Sequence, residues 1–580
     1  MKNKYSLIIN IIGLKNLFLY GFLNVVVLVL ELLSFTMFIP LLLALTNKGE
    51  LLNNEFFIKI LDYFDIGYND TKNILILIFV FLVLVFFIKN LFIGISAYYQ
   101  YKTLSKLEGN LVSVVFQKYL QRPYLLHTSE NSSEMIRNII GETSVFVRSF
   151  LGSVLSIIIE GIILIGISIV LYLNEPEILL KLLISFFILG LMFFFFFNKK
   201  YIRLGKERQF KEKKRLEYLQ QGLHGLKEII AFNLQEFILS LFNDTNIKLL
   251  KNVNLVGFIN IIPKLLLETL AIVIILIIFL TTKEIQEDIN KHIFILGLIS
   301  VAAFRVFPAI NKLLLALNIF HYSKQSVKVL TKIFEFDIES KNKKILKEEN
   351  LKTSINFEKD IEIKNLNFRY SPQKEFIFKN LNIKINKGEH VGIMGNTGSG
   401  KSTLVNLLLG IFDPNEGTIL CDGVNISNNL FQWRNLIGYV SQFPYLLDDT
   451  IKANVAFGVE DSKISEKQVY ECLEKANLKN FVLELKDGIN TLVGERGAQL
   501  SGGQIQRMAI ARAYYKKPKI LILDEATSSV DKITQKKIIE YFSRFKDNFT
   551  IISISHDKDA LIYCDRIYVL EDNNLILSQS

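Results

Sequence analysis

Residues Gly395-Asn396-Thr397-Gly398-Ser399-Gly400-Lys401-Ser402-Thr403 place glycines, a lysine and hydroxyls at the spacing G-x-x-x-x-G-K-[ST]. That spacing suits one kind of chemistry, the holding of phosphates. Glycines let the backbone turn so tightly that its N–H groups point inward as an anion nest, and a following helix adds its positive end. Lys401 supplies a cation for the β- and γ-phosphates, and the Ser402 hydroxyl a ligand for Mg²⁺. The flanks agree: His390 to Met394 reads as a short buried strand, and Leu404 to Leu409 as an apolar helix. A glycine-rich turn without a ligand needs no such flanks. The chain is therefore expected to bind a nucleoside triphosphate with Mg²⁺.

Further groups come in an order that completes the chemistry. Leu500-Ser501-Gly502-Gly503-Gln504 precedes a helical run, Arg507 to Tyr515, and offers backbone donors at a helix start, suited to a γ-phosphate. Ile520-Leu521-Ile522-Leu523-Asp524-Glu525 reads as a buried strand ending in two carboxylates. Asp524 is placed to hold Mg²⁺, directly or through water, and Glu525 to orient or deprotonate the attacking water. A strand over Ile551 to Ser555 ends in His556, which can bond the γ-phosphate or Glu525. Tyr370, at the end of an alternating strand from Ile361, can stack on a purine, although strand-terminal tyrosines are common.

The elements that carry these groups occupy only the second half of the chain. At 580 residues more than one domain is required. Apolar residues make up 50% and mean hydropathy is +0.32, with the excess concentrated before about Asn318. Runs long enough to cross a ~30 Å hydrocarbon core as helices fall at 17–45, 74–98, 150–173, 178–198, 256–281 and 292–318, six in all. The first is too long for a signal-peptide core and lacks a small-residue cleavage site, so it is retained as a span. The fourth contains the aromatic block Phe193 to Phe197, read as lipid-facing or packing surface. The net charge of +11 does not call for nucleic acid, because its basic runs lie between apolar spans. Three cysteines, Cys421, Cys472 and Cys564, form neither a zinc site nor a disulfide framework.

Loop charge sets the orientation. The connections after spans two and four are basic (Lys102, Lys106, Lys118, Arg122, Arg137, Arg148; Lys199 to Arg215), and those after spans one, three and five are mixed or acidic. Both termini and both long basic loops are then cytoplasmic, and the basic loops continue as helical hairpins beyond the bilayer. Met1 to Lys15 suits an interfacial helix, and Leu51 to Asp65 either a helix lying on the outer surface or a packed loop.

Three cations lie inside spans: Lys89, Lys264 and Arg305. Each is roughly 14 to 18 residues from its span's outer end, or ~21–27 Å, which puts all three in the inner half of the bilayer. A bare charge there costs at least ~2.5–3.5 kcal/mol. Two readings are open. The cations snorkel, or pair with Glu31, Glu160 or Glu268; or they form a girdle for an anionic head group. Pro263 and Pro308 beside two of them favour local bends.

Beyond a polar Lys/Glu-rich stretch, strands alternate with helices as in an α/β sheet. Residues 1–335 are expected to form a membrane domain, 336–355 a linker and 356–580 a nucleotide-binding domain. With these motifs in place the chain resembles an ABC exporter half-transporter from end to end: membrane α-helices of the six-span type fused to an α/β phosphate-loop domain. Tyr370 matches the family's A-loop, Gly395 to Ser402 its Walker A, Gln442 its Q-loop and Leu500 to Gln504 its signature. Asp524-Glu525 closes Walker B, Ser528 to Asp531 resembles the D-loop, and His556 matches the switch histidine. Val493 to Gly497 resembles the loop found before the signature in exporters. The resemblance implies that Gln442 joins Ser402 and Asp524 around Mg²⁺. It also implies that the signature of one copy closes the ATP site of another, hence a homodimer. Phe443 and Asp557 depart from the family pattern without removing a catalytic group.

A closer likeness concerns cargo. Ala303 to Lys312, and Ile262-Pro263-Lys264 with Leu267-Glu268, resemble spans six and five of bacterial lipid-linked oligosaccharide flippases of the PglK type. In that family cavity arginines are thought to meet a lipid pyrophosphate; here Lys89 and Lys264 would keep the charge without the bidentate fork. An external helix that meets the polyprenyl tail in that family fits Phe56 to Phe64. The resemblance implies an ATP-driven flippase of the bacterial inner membrane carrying an anionic lipid-linked glycan. Lipopolysaccharide precursors and hydrophobic drugs are the other cargoes, and an ATP-gated channel or regulatory subunit the other class.

Overall fold

The computed structural model describes all residues except 1–13, 54, 129, 175, 282–288, 349–353, 397, 527–531, 545–548, 572 and 579–580. For several helical stretches, 14–20, most of 177–194, most of 274–292 and 336–348 among them, it describes the backbone alone. The expected interfacial segment at the N-terminus lies mostly outside the described residues. Two compact units emerge: Met1–Arg122 with Glu130–Ile338, and Glu339–Ser580 with the short segment Pro123–Ser129.

The first unit is helical throughout. Its long helices are Thr71–Gln121, Pro176–His224, Gln235–Thr281 and Ile289–Glu348, of 51, 49, 47 and 60 residues. At ~1.5 Å per residue the shortest reaches about 70 Å, more than twice a hydrocarbon core. Among the described residues five helices are apolar enough to span, over Gly21–Thr46, Thr71–Gln121, Ser132–Leu173, Gln235–Leu270 and Leu296–Glu335. The expected span at 178–198 lies in Pro176–His224, most of whose side chains there are not described. Helical spacing sorts the faces. Ile163, Ile167 and Leu171 are buried with Phe35, Leu298 and Ala302, while Ile158, Ile162, Ile165 and Ile169 stay exposed, as suits a face turned to lipid. Leu107, Leu111, Val115 and Tyr119, each four apart, pack with Phe146, Val147, Leu330 and Ile333 in the polar extension.

The helix Ile289–Glu348 runs into the stretch read as a linker as far as Glu348, because Lys, Glu and Leu are good helix formers and neither Gly nor Pro interrupts them. The basic connections carry carboxylate partners. Arg148 pairs with Glu108 at 2.7 Å, Arg203 with Glu207 at 2.9 Å, and Lys213 with Glu134. Arg208 sits between Glu142 at 3.2 Å and Glu212 at 2.9 Å. Glu142 is fully buried and Arg208 nearly so. Between Leu51 and Asp65 two helices form, Lys48–Leu52 and Glu55–Tyr63. Leu61 is buried against Leu41, Ile74 and Ile78 with Phe57 and Ile60 beside it, but Phe56 and Phe64 remain exposed. The apolar residues there are thus divided between packing and solvent.

The second unit holds two sheets. One is antiparallel, ordered β2-β1-β4-β5, from β1 (Asp360–Phe368), β2 (Phe378–Asn386), β4 (Glu416–Cys421) and β5 (Val424–Asn425). The other is ordered β10-β9-β3-β8-β7-β6, from β3 (His390–Met394), β6 (Ile437–Val440), β7 (Ile520–Asp524), β8 (Thr550–Ser555), β9 (Arg566–Glu571) and β10 (Asn574–Leu577). In it β3, β8, β7 and β6 are parallel neighbours, and β7 and β8 are buried along their whole length. Such strands read as continuous apolar runs because helices cover both faces.

The buried charge in the first unit sets a test. Arg208→Ala leaves Glu142 desolvated without its closest partner, a loss of ~3–5 kcal/mol. Arg203→Ala removes an exposed pair, a loss of ~0–1 kcal/mol. Thermal unfolding of the purified protein in one detergent is expected to show a large drop for Arg208→Ala and almost none for Arg203→Ala.

Candidate functional site

Parallel register assembles the site. Met394 lies beside Ser555, Ile554 beside Asp524, and Leu523 beside Val440, so four strands end in one row. Each strand leads directly into a chemical group: the glycine loop after β3, His556 after β8, Glu525 after β7, and Gln442 two residues after β6. Ligands bind at such carboxyl edges because loops there diverge and leave a crevice.

The loop is built around close approaches. Gly400 has φ +104°, and a Cβ there would come 2.8 Å from Ile377 Cγ2, while a Cβ on Gly395 would come 2.7 Å from Ser399 Oγ. Helix Lys401–Leu408 begins immediately, and the N–H groups of its first turn have no intrahelical carbonyl to meet. Lys401 is buried and donates to the carbonyls of Gly395 at 2.6 Å and Asn396 at 3.1 Å. Its ammonium is thus stored in the loop that a phosphate would enter. Ser399 Oγ is buried without a hydrogen-bond partner among the described residues. An orphaned hydroxyl, a stored cation and unclaimed N–H groups fit a polyphosphate. Asn396, Gly398 and Ser402 are exposed at the mouth, whereas Thr397 lies outside the described residues.

Glu525 is the centre of a polar cluster with Gln442 and His556. It is a non-glycine residue at φ +48°, and its N–H donates to the Ile554 carbonyl at 2.9 Å, so the chain turns abruptly off β7. That turn brings its carboxylate to the Gln442 amide, which donates at 2.6 Å, and to His556 Nδ1 at 3.1 Å. Both oxygens are held. Asp524, buried beside it, has its carboxyl pushed up to about 6 by burial first and by the Glu525 charge second, with Lys401 opposing. Asp524, the exposed Ser402 hydroxyl and the Gln442 carbonyl suit a hard divalent cation that keeps phosphate oxygens as further ligands. No cluster of three or more His, Cys, Asp or Glu occurs among the described residues.

Tyr370 lies edge-on to Phe368 and Phe412, with its hydroxyl 2.8 Å from Thr403 Oγ1, so the A-loop tyrosine and the phosphate loop are joined directly. Phe412 also stacks on Phe368 and meets Tyr124, at 5.5 and 6.3 Å between centroids. Tyr124 belongs to the Pro123–Ser129 segment, which packs in this unit. The segment starts where Pro123 follows the long helix Thr71–Gln121, and its Leu125 packs against the core of this unit.

The signature is a helix start. Ser501 caps Gly502–Tyr515, its hydroxyl accepting from the Gln504 N–H while the Gln504 side chain accepts from the Ser501 N–H. The helix therefore begins at Gly502, five residues before Arg507, since this reciprocal cap satisfies two first-turn donors. Gly503 is half-buried, and Gly502 is exposed at the tip. Arg512 further along donates to the carbonyls of Tyr445 at 2.7 Å and Asn454 at 2.8 Å, tying this helix to the chain just after Gln442. Sequence reading missed Arg512 and Phe412, because neither belongs to a short motif; the only signal was an arginine on the buried side of an apolar helix. Asp531 lies outside the described residues.

In the first unit, Lys89, Lys264 and Arg305 line one cavity of about 530 Å³ with Phe35, Phe86 and Phe304. Arg305 pairs with Glu31, Lys89 Nζ lies 3.9 Å from the same carboxylate, and Lys264 lies 3.8 Å from Glu268. Glu160 pairs instead with Lys312 at 3.0 Å. The two readings of the cations are not exclusive: they share a cavity and they have carboxylate partners. Both helices run on through Pro263 and Pro308.

Residues 15–302 match the family described as ABC transporter transmembrane region, and residues 378–528 the family described as ABC transporter. The chain is 27% identical over 492 residues to an ATP-dependent lipid A-core flippase of Vibrio vulnificus, covering 83% of this chain and 82% of that protein. It is 39% identical over 219 residues to ABC transporter B family member 21 of Arabidopsis thaliana, covering 37% of this chain and 17% of that one. The chain spans between 17% and 38% of the length of the first curated relatives it matches. Among solved structures, a bacterial Atm1-family ABC exporter with ATP bound superposes with TM-score 0.74, at 22% identity over 95% of this chain and 94% of that one, which shows the fold.

The raised Asp524 carboxyl gives a pH signature. Folded Asp524 holds its proton up to about pH 6, above the ordinary 3.8, so its contribution to stability without nucleotide rises as pH falls from 6 towards 4. Metal-dependent nucleotide affinity moves the other way, because a protonated carboxyl cannot ligate, and is expected to fall about tenfold per unit below pH 6. Fluorescent-nucleotide titrations with Mg²⁺ at pH 5 to 8 read this limb, and Asp524→Asn is expected to flatten it.

Proposed function

This chain belongs to the ABC transporters, and we propose that it is an ATP-driven flippase for a polyprenyl-pyrophosphate-linked oligosaccharide in the bacterial inner membrane. The observation that carries the cargo reading is a cavity among apolar spans that Lys89, Lys264 and Arg305 line together. Three cations paired with two carboxylates, Glu31 and Glu268, leave one positive charge among apolar spans that neutral cargo does not balance. A pyrophosphate does.

The soluble unit supplies the work. Phosphates enter the Gly395–Ser402 loop, and Lys401 moves from the Gly395 and Asn396 carbonyls to phosphate oxygens. Tyr370 presents its ring to the purine. Glu525, fixed by Gln442 and His556, orients the attacking water and takes its proton. Ser402, Asp524 and Gln442 would hold Mg²⁺, which when bound would neutralise charge on the phosphates. The exposed tip at Ser501 to Gln504 completes the site of a second copy, which makes the working form a homodimer. Closure with ATP and release after hydrolysis drive the membrane helices, with termini and nucleotide units on the cytoplasmic side. The domain limits 1–335, 336–355 and 356–580 serve this division of labour. Similarity to the Vibrio lipid A-core flippase supports a second cargo reading, a lipid A-core. The two carboxylate contacts of Glu525 favour a hydrolysing engine over a channel that merely binds ATP.

Glu525→Gln is expected to lower phosphate release at least ~100-fold while ATP stays bound, read by single-turnover hydrolysis and nucleotide retention; normal turnover would remove Glu525 from the catalytic role. In vesicles loaded with a pyrophosphate-linked donor lipid, Lys264→Ala is expected to slow translocation several-fold more than basal ATP hydrolysis. Unchanged translocation rejects the cargo reading, and faster transport of a lipid A-core donor selects the second one.

A further inference from the structure

The charges in the membrane cavity are unequal. Glu31, 3% exposed, engages Arg305 through one carboxylate oxygen. Its other oxygen has no hydrogen-bond partner among the described residues, and Lys89 Nζ stands 3.9 Å away, beyond hydrogen-bond length. Lys89 rests instead 3.9 Å above the Phe86 ring. Lys264 and Glu268 form a loose pair that is more than half exposed. So Lys89 and Arg305 in the cavity wall stand around one anion, Glu31, buried behind it, with the strongest donor, Arg305, already taken.

We infer that Glu31 is a specificity-determining residue, an internal counter-anion that occupies Arg305 until a head group with more than one negative charge displaces it. The inference rests on the cargo reading above. A phosphodiester head group brings one charge, so its exchange for the carboxylate gains nothing and still costs desolvation. A pyrophosphate brings at least two and can meet Arg305 and Lys264 together, with bidentate contact to the guanidinium. The displaced carboxylate is not stranded, because Lys89 needs to move only slightly to form a hydrogen-bonded pair with it. Glu31 thereby keeps singly charged phospholipids, which surround the spans in great excess, out of a cationic cavity.

The test uses the full chain in phosphatidylcholine nanodiscs, with a fluorescent prenyl pyrophosphate as probe and phosphatidylglycerol or inorganic pyrophosphate as competitor. Wild type is expected to prefer the prenyl pyrophosphate to phosphatidylglycerol strongly. Glu31→Gln is expected to shrink that preference at least tenfold, mainly by admitting phosphatidylglycerol, while Glu31→Asp retains most of it. Arg305→Lys, which holds the carboxylate by a point charge rather than a fork, is expected to shift preference the same way and serves if Glu31→Gln fails to fold. A preference left intact in both Glu31→Gln and Arg305→Lys overturns the role of Glu31. Equal loss in Glu31→Asp and Glu31→Gln, with lowered melting temperatures in both, makes it a packing residue and also overturns it. Absence of any preference in wild type removes the cargo reading itself, and tighter binding of inorganic pyrophosphate than of its prenyl ester assigns the cavity to a soluble anion.

Discussion

Everything in the soluble unit depends on the register of four parallel strands. Parallel pairing sets every strand end at the same edge, and here the paired residues Met394–Ser555, Ile554–Asp524 and Leu523–Val440 fix that edge within a residue. A one-residue slip would turn each side chain to the opposite face and carry Glu525 away from Gln442 and His556. Full burial of β7 and β8 makes such a slip costly. The local strain at Glu525 is tolerated for the same reason: the strands around it leave no other place for the turn.

The membrane unit solves a different problem, charge without water. Arg208 with Glu142 in the polar extension and Arg305 with Glu31 among the spans are both pairs on a buried carboxylate. They differ in what surrounds them. Arg208 is held from two sides by Glu142 and Glu212, a closed arrangement that fixes one helix against its neighbours. Arg305 borders a cavity, and its carboxylate partner retains an unused oxygen. The first arrangement suits a strut and the second a binding surface.

How much could be read from the chain alone depends on the range of the interactions involved. The phosphate loop, the two carboxylates after β7 and the histidine after β8 were legible because each is a short run whose flanking strand or helix is also local. The signature helix was legible in position but not in length, since its reciprocal Ser501–Gln504 cap extends it to Gly502. Arg512, Phe412 and Tyr124 were invisible, because their partners lie 58, 44 and 288 or more residues away or in no motif at all. For the three intramembrane cations sequence offered both pairing and a shared cavity, and only the helix packing could show Glu31 serving two of them while Glu160 turned to Lys312. That the polar stretch after residue 335 begins as helix was not legible in composition, because composition reports solubility, whereas helix continuation depends on propensity and the absence of breakers.

The Glu31 pairing also bears on how the chain enters the bilayer as it is made. Glu31 emerges in the first span and Lys89 in the second, so the opening hairpin presents opposite charges that can neutralise each other during insertion. Arg305 comes only after most of the membrane half has been synthesised. Its arrival recruits a carboxylate that is already in place, and the last span is thereby drawn against the first.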